Sequence, residues 1–159
     1  MAIEIEHKFL LANDDWREYV HRSTLYRQGY LSSEANTSIR VRICDEHAWL
    51  NIKSAVIGTC RHEYEYVIPL SDAIEIIDNL CHKPLIGKTR HLVLDDGNLW
   101  EIDEFSGANQ GLIVAEIELP DIGVEFHKPA WLGREVTDDL RYYNNNLVSH
   151  PFSKWQDKA

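Results

Sequence analysis

The chain has 159 residues, 44% hydrophobic and 26% charged, with a net charge of −10. That length suits one domain, the composition is ordinary for a soluble globular protein, and the acidic balance argues against non-specific binding to nucleic acid or anionic membrane. No apolar run approaches the roughly 18 residues of a membrane span, and the amino terminus lacks a basic-then-apolar signal layout.

Glu4-Ile5-Glu6-His7-Lys8 opens the chain. With period two it puts Glu4, Glu6 and Lys8 on one face and Ile3, Ile5 and Phe9 on the other. Same-face neighbours lie about 7 Å apart, too close for two carboxylates to ignore each other unless a cation sits between them. Asn13-Asp14-Asp15-Trp16 predicts a capped, acidic first turn and a short helix to about His21. Residues 25–31 form the next expected strand, with Gln28 and Tyr30 on one side, and residues 32–37 a turn-rich link. Ser38 to Ile43 alternates cleanly, with Arg40 and Arg42 facing one way, and His47 to Ser54 repeats the pattern with Asn51 and Lys53.

Cys60 to Pro69 places Arg61, Glu63 and Glu65 together, and Pro69 ends that strand. Asp72-Ala73-Ile74-Glu75 has the form of a capping box, predicting a helix through Leu80 with Ile74, Ile77 and Leu80 on its apolar face. Ile86 to Leu94 reads as strand, with Lys88 and Arg90 on one face, and Asp96-Gly97 is a hairpin turn. Glu101 and Asp103 share a face on the following strand. Leu112 to Leu119 reads as the last strand, with Glu116 and Glu118 opposite its aliphatics, and helices are expected over 124–131 and 138–148. Nothing marks a linker or composition shift, so residues 1–159 are taken as a single domain. The three cysteines (Cys44, Cys60, Cys81) are odd in number and form no Cys-x-x-Cys pair, which reads as reduced thiols in a cytoplasmic protein.

The charged faces recur on strand after strand while the opposite faces are apolar and must be buried. A mainly β, α+β fold satisfies both: about eight antiparallel strands closed into a barrel, with a charged lumen and helices packed outside. An open sheet with a solvated charged face is the alternative. Carboxylates and arginines in one cavity suit a metal-bound polyphosphate. Mg²⁺ takes one or two carboxylates plus phosphate oxygens, arginine grips phosphate through paired hydrogen bonds and lysine adds point charge. Two other motifs fail. Gly87-Lys88-Thr89 lacks the earlier glycine of a P-loop, where His82 stands, and His62-Glu63-Tyr64-Glu65-Tyr66 lacks the second histidine of a zinc-protease helix.

The ordered set resembles the CYTH superfamily, the triphosphate tunnel metalloenzymes. The likeness runs from Glu4-Ile5-Glu6-His7-Lys8-Phe9-Leu10 through Arg27-Gln28-Gly29-Tyr30-Leu31, Ile39-Arg40-Val41-Arg42, Lys53 and Glu63-Tyr64-Glu65. It continues through Lys88-Thr89-Arg90, Glu116-Ile117-Glu118 and the stretch from Glu135 to Tyr142. What the resemblance implies is an eight-stranded tunnel that hydrolyses or cyclises a small-molecule triphosphate with Mg²⁺ or Mn²⁺. It implies Glu4, Glu6, Glu116 and Glu118 as metal ligands, helped by Glu63, Glu65 and Asp103. It implies Lys8, Arg40, Arg42, Lys53, Lys88 and Arg90 as the triphosphate cradle. Glu4, Glu6, Lys8 and Lys88 would act at the reacting phosphate, and either Tyr30 or a carboxylate would orient the attacking water. His7 stands where many members carry Arg, and Leu140 where short bacterial relatives often carry Lys. The favoured expectation is an inorganic triphosphatase, since nothing in this short chain marks a site for a base or thiazole ring. A thiamine triphosphatase, a class IV adenylate cyclase and a non-catalytic polyphosphate-binding module are the rivals, and monomer and homodimer stay open.

Overall fold

A computed structural model of the chain describes residues 3–34, 36–54 and 59–156. The strands are β1 (Ile3–Leu11), β2 (Val20–Ser33), β3 (Thr37–Cys44), β4 (His47–Ser54), β5 (Cys60–Ile68), β6 (Ile86–Asp95), β7 (Asn98–Phe105), β8 (Ile113–Glu118) and β9 (Leu132–Glu135). Among the described residues the α-helices are α1 (Leu70–Asn79) and α2 (Asn144–Ser149).

Eight strands run around the wall in the order β5-β4-β3-β2-β6-β7-β8-β1. Antiparallel pairing of Ile3 with His62 and Ile5 with Cys60 joins β1 to β5 and closes the ring. The expected barrel is therefore present, with one strand more than the sequence reading counted. The extra strand, β9, adds to β1 beyond its contact with β5, at Phe9↔Glu135 and Leu11↔Leu132. The β6–β7 hairpin turns on Asp96 (φ 49°) and Gly97 (φ 77°), both left-handed as a two-residue turn of this hand requires.

Period two then sorts the wall. Outside β1, β6, β7 and β8, Ile5, Phe9, Val93, Trp100, Ile102 and Ile117 form an apolar cluster. Its cover is Trp16, from a 3-10 turn at Asp15–Tyr19, together with Trp131 and Phe126 of the segment after β8. That segment is irregular up to β9, so the helix expected over 124–131 is absent. Outside β3 and β4, Val41 and Ala48 pack under Ala73 and Ile77 of α1. This helix starts at Leu70 with Pro69 as its cap, not at Asp72, and its buried face passes through Ala73 and Ile77 while Ile74 and Leu80 are exposed. Gly29 admits this packing: a Cβ there would lie 2.7 Å from Cys81 Sγ at the helix end.

The second helix does something different. Leu147 and Val148 of α2, with Tyr142 and Trp155, pack against Tyr30, Ile86, Phe105 and Val114. Those four share the inward alternation of Gln28, Lys88, Asp103 and Glu116, so the carboxy-terminal segment plugs one end of the barrel instead of lying on its outside. The helix expected over 138–148 is here a 3-10 turn at Leu140–Tyr142 followed by α2.

Candidate active site

Inside the ring lies a cavity of about 250 Å³ that opens to solvent. Seven acids (Glu4, Glu6, Glu63, Glu65, Glu101, Glu116, Glu118) and seven bases (Lys8, Arg40, Arg42, Lys53, Arg61, Lys88, Arg90) line it. The acids come from β1, β5, β7 and β8, and most of the bases from β3, β4 and β6. Each is an inward position of its strand, so the alternation that made the sequence look odd is what assembles the site.

Register sets carboxylate against carboxylate. Glu6 stands directly across from Glu118, and Glu101 from Glu116. Like charges in such positions repel. Lys8 relieves part of this: its Nζ donates to Glu116 and, at 3.1 Å, to Glu6. Lys53 bridges Glu4 and Glu63 at 3.1 and 3.0 Å. Arg90 reaches Glu101 at 2.7 Å.

Relief is incomplete around Glu6 and Glu118. Burial, followed by the Glu116 charge, lifts Glu6 from the ordinary 4.5 to about 7 despite Lys8. Glu118 is also lifted to about 7, by desolvation and then by Glu4, Glu6, Glu63 and Glu101, and it has no hydrogen-bond or ion-pair partner among the described residues. Its neighbour Glu116 goes the other way. Against the cost of burial, Lys8, Arg90 and Lys88 hold it well below the carboxylate range. Lys8 is correspondingly raised, Glu116 and Glu6 outweighing its burial, whereas burial brings Lys88 down to about 8 despite Asp103.

This donor set fits a hard divalent cation. Among the described residues no three acidic, histidine or cysteine side chains form a preformed metal cluster. The carboxylates that face one another are nevertheless under-compensated. Glu4 Oε2 is buried without a well-formed hydrogen bond, although Lys53 Nζ is 3.1 Å away. Oxygen ligands with excess negative charge are what Mg²⁺-type ions take.

The basic wall is built for an anion. Arg40 is buried, its Nε has no partner, and it makes no hydrogen bond or ion pair among the described residues. Arg42 Nε is likewise buried without a partner. Of the residues expected from the sequence, Glu4, Glu6, Lys8, Tyr30, Arg40, Arg42, Lys53, Glu63, Glu65, Lys88, Arg90, Glu116 and Glu118 all line the cavity. Asp103 is the exception. It is fully buried and does not face the cavity, because Lys88 at 2.7 Å and Arg90 at 2.8 Å hold it behind them. Where the sequence reading expected a metal ligand, the structure places a carboxylate paired with two bases of the lining.

Glu101 and Arg61 join the lining from the same alternation, as does Asn51, which donates to Glu65 at 2.7 Å. Tyr143, Asn144 and Asn145 were not foreseen. Asn144 Oδ1 accepts from Lys88 Nζ at 3.2 Å and from Gln28 Nε2 at 3.1 Å, and the Tyr143 ring lies 4.9 Å from Lys8 Nζ. They enter from the turn before α2 and its first residues, where no strand period points.

Comparison with known proteins gives a consistent result. Residues 2–152 match the profile of the CYTH domain. An inorganic triphosphatase of Acetivibrio thermocellus is 45% identical over 157 residues, covering 99% of this chain and 100% of the relative. One of Nitrosomonas europaea is 36% identical over 149 residues, covering 91% and 96%. A crystal structure of an inorganic triphosphatase superposes with a TM-score of 0.65 at 32% identity, covering 93% of this chain and 95% of the other.

Proposed function

The chain belongs to the CYTH family, and on that premise we propose that it hydrolyses inorganic triphosphate to pyrophosphate and phosphate inside the tunnel. The observation that carries this reading is the cavity itself, with a wall of bases and a wall of carboxylates around one space of about 250 Å³. Pockets for drug-sized ligands hold about 300–1,000 Å³, so this one suits a compact polyanion better than a whole nucleotide. A site that only bound polyphosphate would be hindered by seven carboxylates.

In this reading Arg40, Arg42, Lys53, Lys88 and Arg90 grip the phosphate oxygens, with Lys8 between the two walls. Arg40, which makes no hydrogen bond or ion pair among the described residues, keeps its guanidinium donors for a phosphate. Glu4, Glu6, Glu116 and Glu118, with Glu63 and Glu65 beside them, are the residues that would hold Mg²⁺ or Mn²⁺. When bound, such an ion neutralises charge on the transferring phosphoryl and the leaving oxygen. Water attacks the terminal phosphorus, the bond to the bridging oxygen breaks, and pyrophosphate leaves with the electron pair. Tyr30, or a carboxylate of the acidic wall, orients that water. Cys44, Cys60 and Cys81 are free thiols, which supports a cytoplasmic setting. No described helix is long and apolar enough to cross a membrane.

Phosphate release from tripolyphosphate, ATP and thiamine triphosphate, side by side and with and without Mg²⁺ or Mn²⁺, tests the assignment. Tripolyphosphate should be the preferred substrate and the metal required. Equal or faster turnover of ATP, or cyclic AMP as a product, would refute it.

A further inference from the structure

Most bases of the tunnel are tied closely to acids, and Arg42 is tied only loosely. Its one carboxylate contact is Glu65 at 3.4 Å, and its Nε has no partner. Its side chain is nevertheless only 14% exposed. A guanidinium in that position needs a stabilising neighbour, and two aromatic rings provide it. The guanidinium carbon lies 5.0 Å from the centre of the Tyr26 ring and 5.3 Å from that of Trp49.

Register explains the arrangement. Trp49 is the direct partner of Arg42 across β3 and β4. Gln28 is its partner across β2 and β3, so Tyr26, two residues along the same face, flanks it diagonally. Behind Trp49, the His47 ring stacks at 6.0 Å and 21°. Tyr26 also lies 5.4 Å from the guanidinium carbon of Arg90.

A π face attracts a cation without using any of its N–H groups. A further carboxylate in place of the rings would occupy the donors that Glu65 leaves open and repel the substrate. We propose that Tyr26 and Trp49 are positioning residues that hold Arg42 so that the donors Glu65 leaves open can meet a triphosphate oxygen. The inference rests on the function proposed above. Plain packing at this end of the barrel predicts that any apolar side chain of similar bulk would serve. The clamp predicts that only a ring will.

The experiment compares Tyr26→Phe with Tyr26→Leu and Trp49→Phe with Trp49→Leu, each also in an Arg42→Ala background. It measures the Kd for tripolyphosphate by calorimetry together with KM, kcat and the melting temperature. Each Leu variant should raise Kd and KM roughly five- to tenfold, with kcat within twofold and the Phe variants close to wild type. In the Arg42→Ala background Trp49→Leu should change Kd less than twofold, and Tyr26→Leu should keep only the smaller effect of its contact with Arg90. Phe as harmful as Leu, an undiminished Leu effect without Arg42, or a fall in kcat at constant KM would each overturn the clamp. If one Leu variant fails to fold, the other ring's series makes the same comparison. A wild type that binds tripolyphosphate without turnover refutes the proposed function while Kd still decides the clamp. One that does not bind it refutes both.

Discussion

Glu6→Gln tests whether the acidic wall is a cation site or a structural ion-pair network. Glu6 has a folded pKa near 7 against an ordinary 4.5, with burial first and Glu116 second among the causes. Because the folded state binds the proton more tightly, this group favours folding below about pH 4.5. The benefit is lost as pH rises through about 7. At pH 8, without metal, the ionised carboxylate therefore costs about 3 kcal/mol at one unit per 1.36 kcal/mol, reduced by water at its 16% exposed side chain. Glutamine removes the charge at nearly the same shape. It also weakens the 3.1 Å bond from Lys8, a loss of about 1 kcal/mol that Glu116 softens by retaining the ammonium. The metal-free variant should then be about 1–2 kcal/mol more stable than wild type, a rise of roughly 2–8 °C for a chain of this size. Activity should nearly vanish, and stabilisation by added Mg²⁺ or Mn²⁺ should shrink, since a ligand that binds the folded state stabilises it in proportion to affinity. Thermal melts with chelator and with metal, beside a phosphate-release assay, measure all three. A large drop in the metal-free melting temperature with activity retained would show that the reasoning is wrong.

Asp103→Asn should behave oppositely. It leaves Lys88 and Arg90 buried without their shared partner, so the metal-free protein should lose about 3–5 kcal/mol, and an unchanged chelator melt would count against this pairing. Arg40→Ala and Arg42→Ala should each reduce kcat/KM by the equivalent of about 1.5–3 kcal/mol, and normal kinetics in both would remove β3 from the site. For Lys88, whose pKa burial lowers to about 8, kcat/KM should fall above that pH as the ammonium loses its proton. That alkaline limb should be missing in Lys88→Met, and its persistence there would assign it to another group.

The strand-borne part of the site was legible because two constraints coincide. A barrel wall has period two, and charge at successive inward positions is visible without any alignment. Thus Glu4, Glu6, Arg40, Arg42, Lys53, Lys88, Arg90, Glu116 and Glu118 could all be named before the fold was seen. Depth along the tunnel was not legible. Glu101 and Asp103 look alike in the alternation, yet one faces the cavity and the other lies behind Lys88 and Arg90, a distinction set by strand stagger. The segment after β8 misled for a different reason. Pro129 falls inside the expected helix and favours extended chain before it, and Phe126 and Trp131 cover Phe9 and Trp100 from an irregular segment. Tyr143 and Asn144 were hidden because a turn has no period to read, and β9, at four residues, is too short to show one.

The pairing of β1 also bears on how the molecule is made. This strand is made before all of its partners, and they follow late: β5 at residues 60–62, β8 at 115–118 and β9 at 132–135. Joining segments so far apart in sequence is entropically costly and slow. Strands β2 to β5 and the β6–β7 hairpin pair with near neighbours, so they can form while β1 still waits for β8. Glu4, Glu6 and Lys8 thus meet Glu116 and Glu118 only when the ring shuts. No partly assembled acidic wall forms before then, and one edge of β1 stays open until β8 has been translated.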